Sequence, residues 1–209
     1  VLTGSDRMKQ RPVSILVEAL RSLGASIDYL AKPGCPPILI RGSALTGGEV
    51  VLDPGVSSQF TSALLLIAPY LPGGLVLILK GKEVSSPYVT MTVRLMQAFG
   101  ARVKEGKSRI HVKPGSYLPA DFRVEADWSA AAFWYEAAAL AENVDLELTG
   151  LQKESLQGDA VLPDIFQNFG VRTGYTGNGI RLTKVHRKTA GFYFDFNDYP
   201  DVAQAVITT

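Results

Sequence analysis

The chain repeats itself at a period of roughly 70 residues, which restricts it to folds assembled from equivalent supersecondary units. Three segments, LVEALRSLGASIDY, TVRLMQAFGARVKE and LPDIFQNFGVRTGY, each read as a helix ending in Leu or Phe, then Gly, then a strand with alternating pattern. Their glycines are Gly24, Gly100 and Gly170, separated by 76 and 70 residues. A second set is offset from the first: SSQFTSALLLIAPY and WSAAAFWYEAAALA read as helices whose Ser58 and Ser129 lie 71 residues apart, and each precedes a β-rich run, GLVLILKG or NVDLELTG. The unit is therefore helix, strand, helix, strand, strand. Two units are nearly whole, and the chain starts partway through one and ends inside another. The glycines themselves need no function, since Gly takes the left-handed conformation that closes a helix.

Such units need a core, and the composition provides one. Of 209 residues, 46% are hydrophobic and 20% charged, which excludes a disordered chain and allows one or two domains. Lys and Arg number 21 against 20 Asp and Glu, a formal charge of +1, with no basic run suited to a nucleic-acid arm. The expectation is no nucleic-acid partner. Apolar runs such as ALLLIAPYL are too short to span a bilayer and contain Pro69, so no membrane partner is expected either. The single cysteine, Cys35, excludes an internal disulfide and a multi-cysteine zinc site and fits a reducing compartment. No signal peptide precedes Val1, no initiator Met is present, and AQAVITT stops inside a helical pattern, so the chain reads as a piece of something longer.

Polar residues fall at equivalent helix starts. TGSDRMKQRP crowds Arg7, Lys9 and Arg11 before or within the first turn of the first helix, where cations oppose the helix dipole unless an anion binds. VSSPY places Ser85, Ser86, Pro87 and Tyr88 at another helix start, and GVSSQF places Ser57, Ser58 and Gln59 at a third. Capping alone accounts for Ser and Pro there. The same hydroxyls and free N–H groups also make a phosphate site. Three such starts could converge on one phosphorylated ligand.

LTGSDRMKQRP, GVSSQFTSALL, EVSSPYVTMTVRLMQAFG, VEADWSAAAFW, SLQGD and DYPDVAQ occur in that order, and together they closely resemble the 5-enolpyruvylshikimate-3-phosphate (EPSP) synthase family over essentially the whole chain. The resemblance implies an α/β (α+β) fold of repeated βαβαββ units, the enolpyruvyl transferase fold, in two lobes that are both incomplete here. The chain would correspond to the middle half of such a protein, with residues 1–123 in the first, shikimate-phosphate-binding lobe and 124–209 in the second. The implied reaction transfers the enolpyruvyl group of phosphoenolpyruvate to the 5-hydroxyl of shikimate 3-phosphate, by addition and elimination, and releases phosphate. It implies no cofactor and no metal, a cytoplasmic location and a monomeric parent. The same surface would bind the inhibitor glyphosate.

Carried over residue by residue, the resemblance assigns the 3-phosphate to Ser57 and Ser58, and Gln59 to both substrates. Ser85 becomes a further phosphate ligand and Tyr88 lines the shikimate pocket, while Ser86 stands where the family often has lysine. Arg7 grips the phosphoenolpyruvate side, with Lys9 and Arg11 in support. Asp127 reads as a helix N-cap or a catalytic carboxylate. Asp201 is the expected catalytic residue, contacting the shikimate hydroxyls and taking part in proton transfer. Its place after Pro200 at a helix opening also suits a carboxylate for dipole reasons alone. Asp195 and Asp198 read as loop residues, and neither His111 nor His186 has partners at metal or triad spacing. The family's early lysine and serine and its later glutamate, lysine and arginines lie outside this sequence, so the chain by itself is expected to be inactive. Two alternatives remain open at this stage: an enolpyruvyl transferase acting on UDP-N-acetylglucosamine, and a non-enzymatic RNA-binding module of related repeat fold.

Overall fold

A computed structural model describes residues 1–53, 58–80, 87–185 and 191–209. Two compact units emerge, Val1–Ala120 and Asp121–Thr209.

The first unit opens with helix α1 (Ser14–Ser22) and an antiparallel hairpin of β1 (Ser26–Tyr29) and β2 (Ile38–Arg41), in which Ser26 faces Arg41 and Tyr29 faces Ile38. A complete βαβαββ sequence follows: β3 (Gly48–Leu52), α2 (Ser58–Ile67), β4 (Leu75–Leu79), α3 (Pro87–Ala98), β5 (Val103–Glu105) and β6 (Arg109–Val112). Sheet order is β3-β4-β6-β5. Strand β3 runs parallel to β4, with Gly48 opposite Leu75 and Leu52 opposite Leu79, whereas β6 is antiparallel to both β4 and β5. The apolar run LVLIL makes β4 the central strand: Leu75, Leu77 and Leu79 are buried while Val76 and Ile78 are half-buried. Leu64, Leu65, Val89, Val93 and Met96 pack over the buried leucines from α2 and α3. The hydroxyls of Ser62 and Thr92 meet between the two helices at 2.9 Å.

The second unit contains α4 (Trp128–Leu140), β7 (Asp145–Thr149), α5 (Leu162–Phe166), β8 (Val171–Thr176), β9 (Gly179–Lys184) and α6 (Pro200–Ile207). Its sheet has the order β7-β9-β8, antiparallel throughout. Trp128, Tyr135, Phe166, Ile180, Leu182 and Val202 form its centre. This is the same unit without its first strand. Residues before α4 run without a ladder, and a single backbone bond ties Ala126 N–H to Gly150 O (2.9 Å).

The expected glycine closures are present. Gly24, Gly100 and Gly170 have φ of +103°, +83° and +76°. At Gly100 the conformation is enforced twice, because a Cβ would also come within 2.9 Å of Leu118. Of the two placements expected for Arg7, Lys9 and Arg11, before or within the first turn of α1, the structure takes the first: they lie on and around a separate 3-10 turn, Met8–Gln10, with Pro12 and Val13 intervening before α1. Lys9 also pairs with Asp6 at 3.1 Å, so the supposed conflict with the α1 dipole does not arise. The helix expected over LPDIFQNF is likewise shorter, a single α-helical turn flanked by 3-10 turns at Gly158–Val161 and Gln167–Phe169.

Tyr135 gives this core a pH signature. Its ring lies 5.3 Å from that of Phe166 and its hydroxyl meets Thr173 Oγ1 at 2.7 Å. Burial pushes the phenol well above its ordinary value, outweighing the Thr173 hydrogen bond. A raised folded-state value contributes stability that is complete below the unfolded pKa of about 10 and is lost as pH climbs above it. Tyr135→Phe should therefore cost about 1 kcal/mol at neutral pH, through the lost hydrogen bond. The deficit should shrink above about pH 10, where only the parent must keep a phenol neutral. Urea denaturation on both sides of that pH measures it; an unchanged difference would contradict the assignment.

Candidate active site

A parallel β3–β4 pair settles where α2 and α3 begin. Each helix follows the carboxyl end of its strand, so both amino termini lie at the same end of the sheet. The Ser62–Thr92 contact, one turn into each helix, keeps them side by side, and Thr92 Oγ1 also donates to Tyr88 O (2.9 Å). Neither helix carries an acidic residue in its first turn. Two positive dipole ends thus face one region with no carboxylate among those first-turn positions, a favourable place for an anion.

Ser58 opens α2 and is half-buried, with Gln59 exposed beside it, and Tyr88 is half-buried at the second position of α3. These three predicted residues are brought to the same end of the first unit. Ser57 and Ser85 lie outside the described residues, as do Ser86 and His186. Arg7 is exposed at the head of its 3-10 turn, and no described hydrogen bond or ion pair joins it to α2 or α3. In the second unit Asp201 follows Pro200 in the first turn of α6 and is exposed. Asp195 accepts from Asn197 N–H (3.0 Å), a loop contact as its position suggested. Among the described residues no group of His, Cys, Asp and Glu is placed to hold a metal ion. Two open grooves, one along α1 and β3 and one around Lys153 and Tyr175, are lined by none of the predicted ligands.

Asp127 caps α4: its carboxylate accepts from Ser129 N–H at 2.8 Å. Around it lies a network that sequence reading registered only as the strings VEADWS and SLQGD. Gln157 Nε2 donates to Ala126 O and Gln157 Oε1 accepts from Trp128 N–H, both at 2.8 Å. Ser155 Oγ donates to Glu125 Oε1 (2.8 Å), and Ser129 Oγ donates to the buried Asp159 carboxylate (2.5 Å). Gln157 thereby satisfies the carbonyl of Ala126 and the N–H of Trp128, the latter one of the helix-start donors that lack an intrahelical partner. The available signal was the spacing of a Gln-Gly-Asp turn after a β-rich run, but nothing in it names the partner thirty residues upstream.

A family model described as EPSP synthase (3-phosphoshikimate 1-carboxyvinyltransferase) matches residues 1–208. A relative from Bacteroides fragilis named 3-phosphoshikimate 1-carboxyvinyltransferase is 48% identical over 209 residues, covering 100% of this chain and 51% of the relative. One of the same name from Sulfurovum is 38% identical, covering 100% and 49%. The chain spans about half the length of the curated relatives it matches. Among solved structures, EPSP synthase from Acinetobacter baumannii aligns with TM-score 0.68 and 23% identity over 98% of this chain and 47% of that one. The enolpyruvyl transferase NikO from Streptomyces tendae aligns with TM-score 0.61 and 19% identity over 85% and 43%. At these identities the two structures show a shared fold, an α/β enolpyruvyl transferase architecture.

Replacing Gln157 by Leu leaves Trp128 N–H and Ala126 C=O unpaired, and should destabilise the second unit by about 2–4 kcal/mol. Asp127→Ala, losing one exposed cap, should cost about 1 kcal/mol. Denaturant midpoints rank the two; equal effects would contradict the bridging role of Gln157.

Proposed function

Because the chain belongs to the EPSP synthase family, we propose that it forms part of an enzyme transferring the enolpyruvyl group of phosphoenolpyruvate to the 5-hydroxyl of shikimate 3-phosphate, with release of phosphate. The observation that carries the reading is the shared orientation of α2 and α3, whose starts bring Ser58, Gln59 and Tyr88 to one end of the sheet with no first-turn acid. Residues 1–123 belong in this reading to the lobe that holds shikimate 3-phosphate, and 124–209 to the second lobe.

Each side chain takes the role its chemistry allows. Ser57, Ser58 and Ser85 donate hydroxyl hydrogen bonds to the 3-phosphate, helped by the N–H groups of the helix starts. Tyr88 lines the sugar-like ring, and Gln59 reaches toward both substrates. Arg7 neutralises the anionic phosphoenolpyruvate, the side on which glyphosate would bind. Asp201 holds the ring hydroxyls and takes the 5-hydroxyl proton as that oxygen bonds to C2 of phosphoenolpyruvate while C3 gains a proton; the tetrahedral adduct then loses phosphate and a methyl proton, leaving the enol ether. A rigid helix start keeps that carboxylate in place. The enzyme acts in the cytoplasm as a monomer, without metal or organic cofactor, making the precursor of aromatic amino acids.

Calorimetric titration of residues 1–209 with shikimate 3-phosphate at low salt tests the phosphate site. Binding should weaken at least about tenfold in the Ser57→Ala/Ser58→Ala variant, the loss of roughly one to two charge-assisted hydrogen bonds. Undiminished binding would contradict the assignment. Residues 1–209 alone should release no phosphate from phosphoenolpyruvate when shikimate 3-phosphate is present, since family residues outside the chain are required. In the complete enzyme Asp201→Asn should lower kcat by about 10²- to 10⁴-fold; an unaltered kcat would remove Asp201 from the chemistry.

A further inference from the structure

The two units complete the same helix start in different ways. An offset of 71 residues carries Ser58, which opens α2, onto Ser129 at the start of α4, and carries α3 onto residues 158–169, the span of α5 with its flanking 3-10 turns. In the first unit the bond between the two helices joins Ser62 and Thr92. Thr92 gives its one hydroxyl proton to Tyr88 O, so Ser62 is the donor in that bond. The equivalent residues of the second unit, Phe133 and Pro163, have side chains that cannot make it. There the link lies one turn nearer the start: Ser129 Oγ donates to Asp159, the residue equivalent to Tyr88.

Carboxylates take both donors of Ser129. Its N–H goes to Asp127 Oδ1 at 2.8 Å and its hydroxyl to Asp159 Oδ2 at 2.5 Å. Asp159 is only 1% exposed, and a carboxylate is seldom enclosed so far unless its surroundings compensate the charge. The Ser129 hydroxyl and the positive end of α4 contribute that compensation. In the first unit the positions equivalent to Asp127 and Asp159 are Val56, outside the described residues, and Tyr88. Neither carries a charge, and neither α2 nor α3 has an acid in its first turn. The chain thus brings two carboxylates to one helix start and none to the equivalent positions of the other.

We propose that the start of α4 is a second oxyanion site, filled by the chain's own Asp159 with Asp127 beside it, and that removal of the Asp159 carboxylate opens it to a small external carboxylate. Asp159 is then an internal ligand rather than a substrate-binding or catalytic acid. The second unit is a self-liganded copy of the unit whose other copy, in the reading proposed above, takes the substrate phosphate. Only that comparison rests on the proposed function; the site itself rests on the Ser129 contacts and the repeat.

Chemical rescue of residues 1–209 tests it. Both tryptophans, Trp128 and Trp134, lie in the second unit, so their emission follows the melting of that unit. Asp159→Ala removes the carboxylate and leaves room for formate against the Ser129 hydroxyl. The variant should melt below the parent. Formate at about ten times its dissociation constant should restore roughly 5 °C of Tm, and chloride at equal ionic strength should restore none. In the parent, where Asp159 fills the site, formate should do no more than chloride, and Ser129→Ala added to Asp159→Ala should abolish the rescue. An Asp159→Ala variant as stable as the parent, formate without effect on it, an equal gain in the parent, or a gain that survives Ser129→Ala each overturns the proposal. Should Asp159→Ala be unfolded in plain buffer, formate must return a cooperative transition, and its failure to do so overturns the proposal equally. No substrate enters the experiment, so its failure is distinct from a failure of the phosphate site at α2 and α3, which the Ser57→Ala/Ser58→Ala titration reads.

Discussion

The parallel pairing of β3 with β4 is the constraint on which the first unit depends. Parallel neighbours cannot be joined by a tight turn, so the chain must cross over the sheet, and it does so as α2. Once that crossover exists, α3 leaves β4 in the same direction, and two helix starts arrive at one end of the sheet. The apolar β4 fixes the arrangement energetically, because Leu75, Leu77 and Leu79 are covered by Leu64, Leu65, Val93 and Met96 from those same helices. Packing and the orientation of the dipoles are therefore not separable. A change that displaced α2 to another face of the sheet would lose the core and the shared orientation of the two helix starts together.

The second unit uses side chains where the first uses a strand. Gln157 takes up Ala126 O and Trp128 N–H, Asp127 takes up Ser129 N–H, and Glu125 fixes the Ser155 turn. These bonds hold the segment before α4 against the SLQGD turn without a ladder. Backbone groups are satisfied by either means, but a side-chain clasp follows the shape of a turn more closely than a straight strand can.

Sequence reading succeeded where local physics decides the outcome. Gly24, Gly100 and Gly170 close helices because no side chain tolerates their φ at low cost, and Asp127 caps α4 because a carboxylate before a helix has few better options. It failed where a distant partner decides. Arg7, Lys9 and Arg11 read as lying before or within the first turn of α1, and the structure places them before it, with the separate 3-10 turn and the Asp6 pairing that no local pattern announced. The string WSAAAFWYEAAALA declared a helix, but not that Phe133 and Trp134 face outward while Trp128 and Tyr135 face in. Gln157 could be seen in its motif, yet its partners lie 31 and 29 residues away. For the candidate site, Ser58, Gln59 and Tyr88 were legible as helix-start residues; that they share one end of a sheet follows from strand pairing, which no local pattern encodes.

In the proposed enzyme the starts of α2 and α3 form one anion site in the first unit. An amide chemical-shift map of residues 1–209 titrated with shikimate 3-phosphate tests it most directly. The largest shifts should cluster at Ser58, Gln59 and Tyr88, with little change around Lys153 and Tyr175. Shifts centred on that second groove, or spread evenly over the basic residues of the surface, would contradict it.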